Sequence, residues 1–190
     1  MNIRTRCFTS FTLLLLVCFA FACNLDQTEE ANKIIDAGNA AVTEGNKLLT
    51  EANSKNDKVF DSVSPEQYLE ERDSIKGLAQ EAADGFEKSA VKYREAATKF
   101  DQASKLKIHE KLKEYLTAKS QEFTKRAEQA DVAKGNPKAF MESASPEALL
   151  KSINANKERV EKLEKEAGEL AEKSGKIQEE NKSIFKPDSK

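Results

Sequence analysis

The chain has 190 residues, with 31 Lys and Arg against 33 Asp and Glu, a formal charge of −2, one histidine and no tryptophan. Interleaved and nearly balanced charge argues against a nucleic-acid partner, because affinity for polyanions comes chiefly from neutralised phosphates. The body is rich in Ala, Glu, Lys, Leu and Ser, the composition of long helices and coiled coils.

The N-terminus comes first in chain order. Met1 to Arg6 carries Arg4 and Arg6 and no acid, and Phe11 to Phe21 is apolar, with the run Leu13-Leu14-Leu15-Leu16-Val17. A basic end, a short apolar core and small residues at a cleavage point form the layout of a secretory signal. The core is about half the length that a membrane-spanning helix needs, roughly 20 residues. Residues 1–22 therefore read as a signal peptide. It carries away two basic side chains, Cys7 and Cys18, so the remainder is more acidic and keeps a single cysteine, Cys23. A lone cysteine in an exported chain points to a partner thiol or a modified one.

The segment Ala20-Phe21-Ala22-Cys23 resembles the lipobox of bacterial lipoprotein precursors, although Ala20 stands where leucine is commonest and Phe21 is bulkier than usual. The resemblance covers residues 1–23 alone. It implies cleavage between Ala22 and Cys23, acylation of the Cys23 thiol and a membrane partner held through that lipid, with residues 23–27 as a short tether. Several acyl chains together anchor stably. Asn24 rather than aspartate after the cysteine then favours the outer membrane of a Gram-negative cell. The alternative is ordinary cleavage, giving a soluble secreted or periplasmic protein.

Residues 28–185 read as an all-α domain. The first helix is expected over about 28–54, with rows seven apart: Ile34, Ala41, Leu48; Ile35, Val42, Leu49; and Ala31, Gly38, Gly45, Ala52. Sustained sevens are the coiled-coil period. Glycine inside a helix costs about 1 kcal/mol against alanine, so Gly38 and Gly45 on one row suggest close approach of a neighbouring backbone. Ser64-Pro65-Glu66-Gln67 opens the second helix with a cap, a first-turn proline and a capping-box partner. Its stripe of Ala79, Phe86, Tyr93 and Phe100 reads as core. The third helix, about 106–133, is less regular and meets a stop signal at Gly135-Asn136-Pro137. Ser145-Pro146-Glu147 opens the fourth. There Leu149, Ile153, Asn156, Val160, Leu163, Ala167, Leu170, Ser174, Ile177, Asn181 and Ile184 alternate spacings of four and three without a miss. Residues 186–190 form a tail.

Asn56-Asp57-Lys58-Val59-Phe60 matches Asn136-Pro137-Lys138-Ala139-Phe140, and Val63-Ser64-Pro65-Glu66 matches Ala144-Ser145-Pro146-Glu147. Both segments read as loops leading into a longer helix. We expect an internal duplication of a helical hairpin, about 28–103 and 106–185, folded as an antiparallel four-helix bundle or coiled coil. No glycine or proline interrupts residues 86–134, so the alternative fuses helices two and three into one long rod.

The chemistry within reach is narrow. His109 has no Glu three residues before it, where Leu106 stands, so the di-iron bundle motif is absent. No zinc spacing, haem attachment motif or glycine-rich phosphate loop occurs, and no metal or cofactor is expected. Acid pairs such as Glu29-Glu30, Glu70-Glu71 and Glu179-Glu180 read as solvated helix faces. The expectation is a non-catalytic, lipid-anchored envelope protein with a structural or interaction role, an unidentified envelope protein as partner, and seams compatible with oligomerisation. Phe60 and Phe140 are the candidate contact residues, or else plugs under the bundle ends. The alternative function is a binding module for a small apolar or lipid ligand, in a cavity left by Gly38 and Gly45.

Overall fold

A computed structural model describes residues 26–61 and 68–185. They form α1 (Thr28–Asp61), α2 (Tyr68–Ser104), α3 (Glu110–Ala133), the short α4 (Gly135–Glu142), α5 (Pro146–Glu180) and the single turn α6 (Lys182–Phe185). The described residues contain no strand, and the fold is an all-α bundle. The expected start signal at Ser64-Pro65-Glu66-Gln67 lies outside the described residues, as do the signal, Cys23 and the tail.

α1 and α2 pack antiparallel, small residues against large. The row Ala31, Gly38, Gly45, Ala52 is buried and runs one step further, to Val59. Facing it, Phe86, Tyr93 and Phe100 are each 1% exposed. A methyl group built on Gly38 would come within 2.9 Å of the Phe100 ring, and one on Gly45 within 2.9 Å of the Tyr93 ring. The glycines therefore make room for aromatic rings. That corrects the expected backbone-to-backbone approach and fills the place where a ligand cavity was expected. Ala52 and Gly85 meet in the same close manner. Absence of a side chain also bares the α1 backbone: buried Ser89 donates to the Gly45 carbonyl at 2.9 Å, while the Tyr93 hydroxyl donates to Asn46 Oδ1 at 2.7 Å. Each buried polar group thus finds a partner across the interface.

α1 extends to Asp61, seven residues beyond its expected end. Asn56 and Asp57 are weak helix formers, but stopping there would leave Val59, fully buried, without its place in the row, and burial overrides propensity. Phe60 and Phe140 accordingly stand on helices, in α1 and α4, and not in loops.

The long-rod alternative is overturned at residues 105–109. Lys105 and Leu106 donate back to the carbonyls of Gln102 and Ala103, closing the last turn of α2. Leu106 and Ile108 then tuck inward while Lys105 and Lys107 face solvent, an extended alternation that reverses the chain without glycine or proline. His109 starts α3 by accepting the Lys111 N–H at Nδ1, 3.1 Å. Gly135-Asn136-Pro137 does not stop the chain as expected. It opens α4, where Pro137 sits in a first turn that needs no N–H from it. Ser145 caps α5 as expected, accepting the Ala148 N–H at 3.3 Å, with Pro146 following.

Two apolar clusters hold the bundle. The larger joins α1, α2 and α3 around Tyr93, Phe100, Leu116 and Phe123. The smaller joins α1, α2 and α4 with the first turn of α5, around Val59, Tyr68, Phe140 and Leu149. Ion pairs mark the antiparallel register of the remaining contacts: Arg94–Asp131 and Lys134–Glu87 between α2 and α3, and Lys125–Glu166 at 3.1 Å between α3 and α5.

Candidate functional site

The acylation site, Cys23, and the cleavage residue, Ala22, lie outside the described residues. The chain immediately after them is fastened down. The Gln27 N–H donates to the Lys107 carbonyl at 2.9 Å, and the Lys107 N–H donates to Gln27 Oε1 at 3.0 Å. Asp26 accepts the Thr28 N–H at 3.0 Å and its hydroxyl at 2.6 Å, satisfying a free donor of the first turn of α1. These two bonds hold the Asp26 carboxyl below its ordinary range. The start of α1, the α2–α3 turn and α6 share one end of the bundle, where the Tyr115 and Phe185 rings meet at 5.0 Å.

The other end is an aromatic clasp. Phe140 is 1% exposed and takes the edges of Phe60 and Tyr68 at centroid distances of 5.7 and 5.4 Å. The Tyr68 hydroxyl reaches the Phe140 carbonyl at 2.6 Å and the Ser143 carbonyl at 3.0 Å, and Arg72 adds a bond to Ser143 at 3.1 Å. The final carbonyls of α4 would otherwise lack partners. Here α2 supplies them, so the two phenylalanines matched in the sequence meet within one cluster.

Between the ends lies the buried acid Glu122, 2% exposed. Lys119 binds its Oε2 at 2.7 Å and Arg126 its Oε1 at 2.9 Å, and both cations also sit near the Phe123 ring. A buried carboxylate must be paired and hydrogen-bonded; this one is, on both oxygens and from its own helix, which leaves neither oxygen free for proton transfer or metal binding. No group of three or more His, Cys, Asp or Glu among the described residues is placed to hold a metal ion. A groove of about 580 Å³ runs between α1 and α2, with Leu48 and Val91 flanked by Glu44, Asp84, Glu87, Lys88 and Lys92. Gly38 and Gly45, occupied by rings, do not open into it.

No family model matches the chain, and no curated protein or solved structure matches it either. The site must therefore be read from its own chemistry. No helix among the described residues is long and apolar enough to cross a membrane.

Three residues escaped the sequence reading. Tyr68 gave no signal, since its role depends on α4 folding back onto α2. Glu122 could have been flagged by Lys119 and Arg126 at i−3 and i+4, a spacing that places both cations on its face. His109 stands one residue before the start of α3, and its capping role follows from that position. Of the three polar residues on the α5 seam, only Asn156 bonds across helices, to Asn136 Oδ1 at 3.0 Å. Gly135 makes that approach feasible, because a side chain there would strike Asn156. Ser174 and Asn181 turn back on carbonyls of their own helix.

Proposed function

We propose that this chain is a non-catalytic, lipid-anchored protein of the cell envelope, whose helical bundle serves a structural or protein-interaction role. The observation that carries the reading is the fastening of Gln27 to Lys107. The bundle is tied down four residues after the candidate acylation site, and four extended residues span at most about 14 Å. An anchored Cys23 therefore holds the end bearing the α2–α3 turn against the bilayer and directs the clasp outward. Outer-membrane placement follows from Asn24 under the same reading.

Support for a non-catalytic role comes from the chemistry of the interior. Its one buried acid is saturated by two cations, and its aromatic stripe is spent on packing. The test is intact-mass measurement of the N-terminus of chain purified from its native membranes, beside a Cys23→Ser variant. The expected result is a mature chain starting at Cys23 with acyl mass, and a Cys23→Ser protein that leaves the membrane fraction. An unmodified Cys23 would leave the bundle free in solution and overturn the anchoring.

A further inference from the structure

The 35 residues of α5 bury only Leu149, Ala167 and Ser174, whereas α2, of similar length, buries twelve. The helix joins the apolar clusters only at its beginning, through Leu149 and Ile153. Past its end, Ile184 and Phe185 touch the other cluster from α6, a single turn with no buried residue. The long middle belongs to neither core. It lies along α3 on small side chains and on charge, with Lys125 shared between Glu128 and Glu166. A gap of about 480 Å³ between the two helices is lined mainly by charged side chains.

We propose that α5 is a hinged strap. It opens from its C-terminal end while α1 to α4 stay folded, turning about residues 143–145. The hinge is placed by the clasp: Tyr68 and Arg72 hold the backbone as far as the Ser143 carbonyl, and a new helix starts at Pro146 under the Ser145 cap. The latch is the Tyr115–Phe185 ring contact, separated from α5 by the break at Asn181, where φ is −125° and ψ is 38°. Regions with few buried apolar contacts open locally at a lower free energy than the core. Opening bares the seam of Val160, Leu163, Leu170 and Ile177, whose unbroken alternation of four and three suits another helix. The proposal does not depend on the lipid.

Native-state hydrogen exchange on the folded mature chain tests it. Amides from Val160 to Ile177 should exchange at least about tenfold faster than those from Ala82 to Ala97, with a smaller denaturant dependence, as a sub-global opening requires. Phe185→Ala, which removes the latch, should accelerate α5 exchange several-fold and leave α2 unchanged. If the α5 and α2 amides share one rate and one denaturant slope, the bundle opens only as a whole and the strap does not exist. If Phe185→Ala accelerates both helices equally, the ring contact is general core and the assigned latch is wrong.

Discussion

The α1–α2 pair and the α3–α5 pair are both antiparallel and of similar length, yet they are built on opposite plans. In the first, every seventh residue of α1 is small and buried, and the rings of Phe100 and Tyr93 fill the space above Gly38 and Gly45. In the second, the α5 seam is regular but mostly half-buried, and the contact with α3 runs through Lys125, Glu166 and small side chains. Periodicity states which face of a helix is apolar. How many neighbours cover that face is a property of the assembly, and it separates the rigid pair from the loose one.

The sharpest way to break this contrast is to delete one ring from the first pair. Phe100→Ala should destabilise the protein by about 3–5 kcal/mol, the range for buried aromatic truncation, measured by urea unfolding. On the seam of the second pair, half-buried Leu163→Ala should remove only about 1 kcal/mol, well short of the 2–5 kcal/mol of a fully buried leucine. Equal losses would mean that the pairs are equally packed.

Glycine sharpens the comparison through sign. Gly45→Val should lose about 1–3 kcal/mol by overpacking against Tyr93, since even the first added carbon meets the ring at 2.9 Å. Gly168, in α5, has no atom within 4 Å of the position a Cβ would take. Gly168→Ala should therefore stabilise by about 1 kcal/mol, the helix-propensity difference. Thermal melts of the two variants should shift in opposite directions.

These differences also show what could be read before the fold was known. The rows of seven were legible because burial follows them residue by residue, from Ala31 to Ala52 and from Ala79 to Phe100. The end of α1 was misjudged because Asn56 and Asp57 look like a loop locally, whereas Val59 obeys a contact made by the whole bundle. The turn after Ser104 lacks glycine and proline and is made instead by the inward alternation of Leu106 and Ile108. The clasp was half legible: Phe60 and Phe140 stood out as a matched pair, but Tyr68 acts on carbonyls 72 and 75 residues away, a separation no local pattern reports. Cys23 was legible in its sequence context alone.

Alkaline pH probes the first pair more gently. Burial pushes the Tyr93 phenol above its ordinary value, so the native state keeps that proton after the unfolded chain has released it. The resulting stability is fully present below the usual tyrosine pKa of about 10 and is lost as pH rises through the higher native value. Tyr93→Phe, which removes the titrating group, should flatten the fall in melting temperature above pH 10. An unchanged slope would assign the fall to other groups, such as Lys92, whose pKa is raised by its bonds to Glu44 and Glu95.

The smallest effect is expected at the charged contact of the second pair. Lys125 and Glu166 have side chains 33% and 35% exposed, so water screens their attraction, and exposed pairs of this kind contribute about 0.2–1 kcal/mol. Lys125 also holds Glu128 at 3.0 Å and keeps that partner if Glu166 is neutralised, which reduces the loss further. A double-mutant cycle with Lys125→Met and Glu166→Gln should return a coupling of no more than about 0.5 kcal/mol, smaller still at high salt. A coupling above about 1.5 kcal/mol, unaffected by salt, would make this contact a lock. The loose pair would then be held by charge as firmly as the first is by its rings, and α5 would have no reason to open before the rest.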